Sequence, residues 1–260
     1  MTNPVPIGLP SARHDLSGLI RSHDRKVAHA FTAAGKSAIA NAFGLPAGKA
    51  WTCAGETSEC KKVCYAGRLE QAYGSTLLPV LMHNYRMLNG QSESRMVELL
   101  SRMVAEYVEE CERKNVPVSG RMFRIHWDGD FGITSNAESQ TSYPRAWARV
   151  IEANPGVQFW LYTRMSTAAR YLHAARLRNL SLYFSADNEN IRMARRLEAR
   201  GIRLAMLSET MVDGRRAIGS GVYCPENLGR LPMRGACVAC GACIRGRSNI
   251  IFASKRKVNA

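Results

Sequence analysis

The sequence predicts an α/β fold built on a mostly parallel sheet, and three observations predict it. Five short apolar stretches alternate with longer stretches in which apolar residues recur at helical spacing. Turn-forming residues such as Pro155-Gly156 separate these stretches. With 260 residues, of which 46% are hydrophobic, the chain can also bury a large core. Strands that alternate with helices in this way require right-handed crossover connections, and these connections make neighbouring strands parallel.

The predicted elements follow in chain order. Strands are expected at residues 38–43, 122–127, 157–162, 180–184 and 202–207, with a short terminal strand near 250–252. Helices are expected at 77–88, 93–114, 143–153, 167–178 and 188–200. The helix at 93–114 has the clearest apolar stripe, which consists of Met96, Leu100, Met103, Tyr107 and Cys111. Cys111 is therefore expected in the core.

The chain divides into three predicted regions. Residues 1–35 read as a polar N-terminal arm, residues 36–213 as the α/β domain, and residues 214–260 as a small cysteine-rich appendage. Prolines and charged residues interrupt the first 36 residues, so a secretory signal is not expected. A continuous apolar run of about 20 residues, the length of a membrane span, is also missing from the sequence. We expect a cytoplasmic protein, whose thiols stay reduced in that compartment.

Seven of the eight cysteines fall into two tight groups. The N-terminal cysteine group is Cys53, Cys60 and Cys64. The C-terminal cysteine group is Cys224, Cys237, Cys240 and Cys243. Thiolates at such spacing converge on thiophilic metal centres, so both groups are predicted metal ligands.

Iron-sulfur clusters suit the two groups best, and zinc is the alternative. Three thiolates leave one iron of a 4Fe-4S cluster open to a small molecule, whereas the denser C-terminal group supplies all four ligands. A zinc site would instead take a fourth ligand from elsewhere, such as His83 or a distant cysteine. The chain could hold one shared cluster or two separate ones.

Polar residues follow several predicted strands, where parallel α/β folds collect their chemistry. They occur in Asp128-Gly129-Asp130, Thr163-Arg164, Ser185-Ala186-Asp187 and Ser208-Glu209. His126 either lines an open cluster or is a core histidine. Arg164 suits a carboxylate or phosphate of a ligand, or a structural ion pair. Asp187 and Glu209 either bind a ribose or cap the following segments. We take Asp128, Gly129, Asp130, His126, Arg164 and Ser185 as candidate cofactor-binding residues.

The net charge is +15, from 36 Lys and Arg against 21 Asp and Glu. Much of the excess lies late in the chain, at Arg192, Arg195, Arg196, Arg200, Arg203, Arg245, Arg247, Lys255, Arg256 and Lys257. Such a charge favours nucleic acid or an acidic host protein as a partner, or it is a solvated basic surface. Stacking aromatics do not interleave with these residues.

The order of a strand, a loop ending in Cys64-Tyr65, a helix, a second strand and Asp128-Gly129-Asp130 resembles the opening of radical S-adenosylmethionine enzymes. Those enzymes carry three cluster cysteines after the first strand and a Gly-Gly-Glu-like motif after the second. The resemblance implies a partial (βα) TIM-like barrel with S-adenosylmethionine bound near Asp130. The loop here reads C-x6-C-x3-C rather than the usual C-x3-C-x2-C, and Gly129-Asp130 stands in the Gly-Gly-Glu-like place.

A more specific resemblance, from about Lys36 to Phe252, is to the phage gene product 88 family. It is carried by Leu45-Pro46-Ala47, Cys53, Cys60, Cys64-Tyr65-Ala66, His126, Gly129-Asp130-Phe131, Tyr162-Thr163-Arg164 and the C-terminal cysteine group. Together the two resemblances imply a phage-encoded iron-sulfur protein that acts in a bacterial host as a radical-type enzyme. The alternative is a non-enzymatic iron-sulfur or zinc protein that binds nucleic acid or a host protein.

Overall fold

The computed structural model describes residues 17–27, 39–133 and 139–254. Most of the predicted N-terminal arm, the first residue of the predicted strand at 38–43, and the basic residues Lys255, Arg256 and Lys257 lie outside the described residues.

The core of the fold is one six-stranded parallel sheet. Its strands are β1 (Met122–Ile125), β2 (Gln158–Thr163), β3 (Leu180–Ala186), β4 (Arg203–Ser208), β5 (Val222–Tyr223) and β6 (Ile250–Ala253). The strand order is β1-β2-β3-β4-β6-β5, and every neighbouring pair is parallel. The mostly parallel sheet and four of its predicted strands are therefore confirmed, as is the short terminal strand. β1 and β5 lie at opposite ends of this order, so the sheet is open and is not closed into a barrel.

The segment predicted as a strand at 38–43 forms two isolated bridges at one residue instead. Ala42 bridges Arg124 in the parallel sense and Ser22 in the antiparallel sense. The Phe43 amide donates to the Arg124 carbonyl (3.0 Å), and the Trp127 amide donates to the Phe43 carbonyl (3.0 Å). Gly44 and Pro46 interrupt the segment before regular strand pairing extends further. It nevertheless satisfies backbone groups along the outer edge of β1.

Ten α-helices lie in the described residues: four precede β1, three cross over between neighbouring strands of the sheet from β1 to β4, and three follow β4. They are α1 (Ser58–Val63), α2 (Tyr65–Ala72), α3 (Leu77–Leu88), α4 (Glu93–Arg113), α5 (Ser139–Ala153), α6 (Ser166–Ala174), α7 (Ile191–Glu198), α8 (Met211–Ile218), α9 (Ala236–Cys240) and α10 (Ala242–Arg245). The prediction of a loop over 53–64 overlooked α1, which Thr57 caps by accepting a hydrogen bond from the Cys60 amide. The helix predicted at 188–200 begins only at Ile191, because Asp187 and Asn190 form a hydrogen-bonded turn first.

The two faces of the sheet bury different partners. Phe123, Phe159 and Leu182 belong to a core that includes residues of α4, α5 and α6, and Cys111 is buried in that core as predicted. The side chains that alternate with these along the strands, such as Trp160 and Tyr162, point to the other face and pack against residues of α9 and α10. Because successive side chains of a strand point to opposite faces, the cysteine-rich region covers one face and helices α4 to α8 cover the other.

The N-terminal segment 17–27 is tied to the cysteine-rich region. Val27 packs in a cluster with Trp160 and Ile244, and Lys26 forms an ion pair with Glu226 (2.8 Å). The Gly235 amide donates to the carbonyl of Arg25 (3.0 Å). Residues 25–27 of this segment therefore pack directly against the cysteine-rich region. Within the three described ranges, none of the helices is both long and apolar enough to cross a bilayer.

Candidate metal centre

One cavity of about 650 Å³ is lined by all seven cysteines of the two groups. Its floor is the sheet face that carries Trp160, Tyr162, Ala205 and Leu207. Each of the seven thiols is half-buried and free of disulfides. Two cysteine groups that are far apart in the chain thus meet across a single space.

Local structure holds the N-terminal cysteine group at the rim of this cavity. The Cys53 amide donates to the Gly48 carbonyl (3.1 Å), Cys60 lies in α1, and the Cys64 sulfur accepts from the Gly67 amide at the start of α2 (3.3 Å). Burial raises the pKa of all three thiols, and for Cys53 the nearby charges of Asp130, Cys64 and Cys60 raise it further. Metal binding to these thiols would therefore release protons.

The C-terminal cysteine group is carried largely by two short helices. Cys237 and Cys240 lie in α9 and Cys243 in α10, with Gly241 between them at φ +64°. This left-handed conformation is one that glycine adopts without the strain that a Cβ would bring. Burial raises the pKa of Cys237 to about 12 and that of Cys243 to about 11. These helices present their thiols toward the same cavity as the N-terminal group.

The described side chains around the cavity do not form a site for a single metal ion. Among the described residues, no group of three or more His, Cys, Asp or Glu side chains converges closely enough to hold one metal ion. His83, the predicted fourth zinc ligand, bonds instead to the Gly18 carbonyl (2.8 Å) and does not line the cavity. A 4Fe-4S cluster is several ångströms wide, so its thiolate ligands do not have to meet at a point. Soft sulfur donors suit such a cluster.

Asp130 is fully occupied by the protein itself. Its Oδ1 accepts hydrogen bonds from the Thr163 hydroxyl (2.6 Å) and the Phe131 amide (2.8 Å), and its Oδ2 accepts from the Arg164 amide (2.8 Å). Burial raises the pKa of Asp130, while these bonds lower it. Asp130 therefore joins the end of β1 to the end of β2.

Asp128 has the opposite environment. Its side chain is only 2% exposed, yet neither carboxylate oxygen has a hydrogen-bond partner among the described residues. Burial and the neighbouring charge of Glu70 raise the pKa of Asp128 to about 8, against the smaller lowering effects of the nearby Gly129 amide and the Arg124 charge. Because a buried, unpaired carboxylate is costly, a cationic group of a ligand would satisfy it.

His126 is held in an aromatic cluster at the edge of the cavity. Its Nε2 is 2.8 Å from the Tyr143 hydroxyl, and its ring packs edge-on against Phe131 with centroids 4.5 Å apart. Burial lowers the pKa of His126 to about 3, and its backbone has φ +53°. Nδ1 has no partner among the described atoms. His126 is thus a neutral core histidine whose ring also reaches the cavity lining.

Arg164 makes a structural ion pair. Its Nη1 donates to Asp187 Oδ2 (2.5 Å), and Asp187 also accepts the Thr57 hydroxyl and the Glu189 amide. Asp187 thereby caps the turn before α7. Ser185 lines the cavity beside Arg164, whereas Glu209 is exposed at the end of β4.

The gene product 88 family model matches residues 17–246. The chain belongs to the gene product 88 family. It is 44% identical to the gene 88 protein of Mycobacterium phage L5 and 43% identical to that of Mycobacterium phage D29; each match spans 93% of this chain and 100% of the relative. No solved structure matches the chain.

The cavity of this gene product 88 family member also contains residues that the sequence analysis missed. Arg124 forms an ion pair with Asp24 (2.8 Å), donates to the Tyr65 hydroxyl (2.9 Å), and lies over the ring of Tyr162 (5.7 Å). Tyr65 follows Cys64 in the chain, and Tyr162 packs in one cluster with Cys237 and Cys243. Arg124 therefore lies between the two cysteine groups. The sequence feature that could have identified Arg124 is its charge, because it is the charged residue of the otherwise apolar strand β1.

Proposed function

We propose that this gene product 88 family protein is an iron-sulfur protein with one cluster at each cysteine group. The observation that carries the proposal is the single cavity lined by all seven grouped thiols. Reduced thiols of this kind suit the cytoplasm of a bacterial host.

The open side of the N-terminal group favours an enzyme. Its three thiolates would leave one iron of a 4Fe-4S cluster free for a ligand, whereas the C-terminal group is complete. When bound, such a cluster supplies one-electron chemistry. S-adenosylmethionine is a ligand that accepts one electron from such a cluster. Its reduction releases methionine, and the remaining deoxyadenosyl group takes a hydrogen atom from a substrate to give 5′-deoxyadenosine.

Asp128 is the residue best placed to accept the ammonium group of this ligand. Its two oxygens are buried and unpaired within the described part of the chain, while those of Asp130 are already bonded. Asp130 then acts as a positioning residue that holds the loop after β1. Accepting a charged donor would remove the cost of burying the Asp128 carboxylate.

Metal analysis of anaerobically purified protein tests the cluster assignment. We expect iron and sulfide rather than zinc.

Replacing Cys53, Cys60 and Cys64 together by Ala should leave the C-terminal cluster intact, and Cys240→Ala should remove about one cluster's worth of iron. Cys111→Ser is the matched control and should keep all the iron. Zinc without sulfide would overturn the proposal, and complete loss of iron in the triple variant would overturn the assignment of two clusters.

Electron spin resonance of the reduced protein tests the enzyme assignment. S-adenosylmethionine should change the signal of the N-terminal cluster, and Asp128→Asn should weaken that change. Asp213→Asn, an exposed carboxylate on α8, is the control. Loaded clusters that show neither the spectral change nor release of 5′-deoxyadenosine would leave a non-enzymatic iron-sulfur protein.

A further inference from the structure

A basic surface lies on the side of the sheet opposite the cysteine cavity. It is formed by α6, α7 and the turns that follow them, and we call it the arginine face. It consists of six exposed arginines: Arg170, Arg176, Arg178, Arg192, Arg196 and Arg200. The inner residues of the same helices, such as Leu172 and Leu197, are buried against the sheet. The arginine face therefore points away from the proposed cluster sites.

The acidic residues near this face are already engaged. Asp187 is paired with Arg164, Glu189 bonds to the Ser58 and Glu59 amides, and Glu198 is paired with Arg195. Within the described ranges, none of the six arginines has a carboxylate within ion-pair distance. Their charge is consequently free to attract an anionic partner.

The outer surface of α4 and α5 provides a contrast within the same molecule. There Arg95 pairs with Glu98 (2.6 Å), Arg102 with Glu106 (3.3 Å) and Arg149 with Glu93 (3.0 Å). These arginines are as exposed as those of α7, but local carboxylates balance them. The outer surface of α4 and α5 is thus balanced by its own carboxylates, whereas the arginine face is not.

The two helices of the arginine face form one continuous surface. The His173 ring of α6 lies 3.5 Å from the point where a Cβ of Gly201 would stand, just after α7. Arg192 and Arg196 lie one turn apart on α7, about 6 Å along its axis, and Arg200 follows in the turn after the helix. A row of cations at this spacing matches a linear polyanion better than a single small anion.

The composition of the face discriminates between classes of partner. Protein interfaces depend on buried aromatic and apolar anchors, but the exposed large apolar residues on α6 and α7 are only Tyr171 and Met193 within the described chain. Single-stranded nucleic acid is bound on several stacking aromatics, which this face also lacks. Contacts to duplex phosphates need only charge and donors. We propose that the arginine face binds the phosphate backbone of double-stranded nucleic acid without reading its sequence.

Fluorescence anisotropy with labelled DNA duplexes of about 20 base pairs tests this proposal. Affinity should fall steeply between about 50 and 200 mM salt, because each phosphate contact releases counterions. The variant R192Q/R196Q/R200Q should bind more weakly, and its plot of log affinity against log salt should be less steep by about 2 to 3. The control R95Q/R102Q/R149Q removes the same formal charge from paired arginines and should retain the wild-type slope.

Three results would overturn the proposal: equal losses in both triple variants, tighter binding to a single strand of the same length, or a preference between two unrelated duplex sequences. All six substitutions are at exposed positions, where breaking an ion pair costs at most about 1 kcal/mol, so both variants should stay folded at the assay temperature, and thermal unfolding checks this. The inference does not rest on the clusters. Metal content is measured in each variant, so failure of the cluster assignment is seen separately from failure to bind DNA.

Discussion

Arg164 and Asp187 form a buried ion pair across the carboxyl ends of β2 and β3, with Nη1 and Oδ2 2.5 Å apart. Asp187 is fully buried and also accepts the hydroxyl of Thr57, the residue that caps α1. The pair therefore connects the strand that ends in Ser185 and Ala186 to the helix that carries Cys60. The position of the N-terminal cysteine group depends on this connection.

Asp187→Asn should destabilise the protein strongly. It leaves the Arg164 cation buried without its counter-charge, and removing one partner of a buried pair costs about 3 to 5 kcal/mol. Urea unfolding of wild type and variant measures this. Glu98→Gln, which breaks the exposed pair with Arg95, is the control and should cost at most about 1 kcal/mol. Equal losses in the two variants would contradict the structural role of the buried pair.

Gly129→Ala should be far more damaging than Gly90→Ala. Both glycines have φ +76°, a conformation that is strained for alanine. A Cβ at Gly129 would also stand 2.6 Å from the Leu45 carbonyl oxygen and the Thr52 hydroxyl, whereas Gly90 has open space around it. Backbone strain alone costs about 1 to 3 kcal/mol, so Gly90→Ala should lose that amount and Gly129→Ala clearly more. Thermal unfolding of the two variants and the wild type measures both losses of stability, and equal losses would contradict the prediction.

His126 should make the protein less stable as the pH falls. Burial lowers its pKa from 6.5 to about 3 in the folded state, so between these values the unfolded chain binds a proton that the folded protein does not. His126→Asn removes this titration and tolerates the positive φ. Below pH 6.5 the wild type should lose stability relative to the variant by about 1.4 kcal/mol per pH unit. A difference between the two that is constant from pH 7 to pH 5 would show that the pKa of His126 is the same in the folded and unfolded protein.

Asp128 should produce the opposite dependence. Its pKa is raised from 3.8 to about 8, so between these values the folded protein holds a proton that the unfolded chain has lost, and stability falls as the pH rises. Asp128→Asn has no such titration and should gain stability relative to wild type as the pH rises from 5 to 8. Urea unfolding of the cluster-free protein across this range measures it. A relative stability that stays constant or falls from pH 5 to pH 8 would mean that the pKa of Asp128 is not raised in the folded protein.

The periodicity of the sequence was sufficient to predict the parallel sheet but not the meeting of the cysteine groups. Runs such as Val157 to Tyr162 bury both faces, so their composition alone identifies them as strands. Residues 38–43 resembled a strand equally well, but their pairing with β1 ends after a few hydrogen bonds. No local pattern shows that Cys64 and Cys224 face one cavity, because that depends on which face of the sheet the C-terminal region covers.

The two acids after β1, Asp128 and Asp130, are a second case in which the sequence alone does not predict the role of each residue. Asp128 and Asp130 are equivalent in the sequence, being two carboxylates on either side of a glycine. Only the approach of Thr163 and Arg164 from the neighbouring strand distinguishes them. Sequence analysis could identify the motif, but tertiary contacts decide which of its members is available to a ligand.

The place of β6 between β4 and β5 constrains the order of assembly. During synthesis, β5 and the C-terminal cysteines leave the ribosome before β6, the strand that joins β5 to the rest of the sheet. Until β6 pairs with β4, β5 is not joined to the rest of the sheet, and the seven grouped thiols do not yet share one enclosed space. Enclosure of the cavity therefore depends on one folding step, the insertion of β6 between β4 and β5.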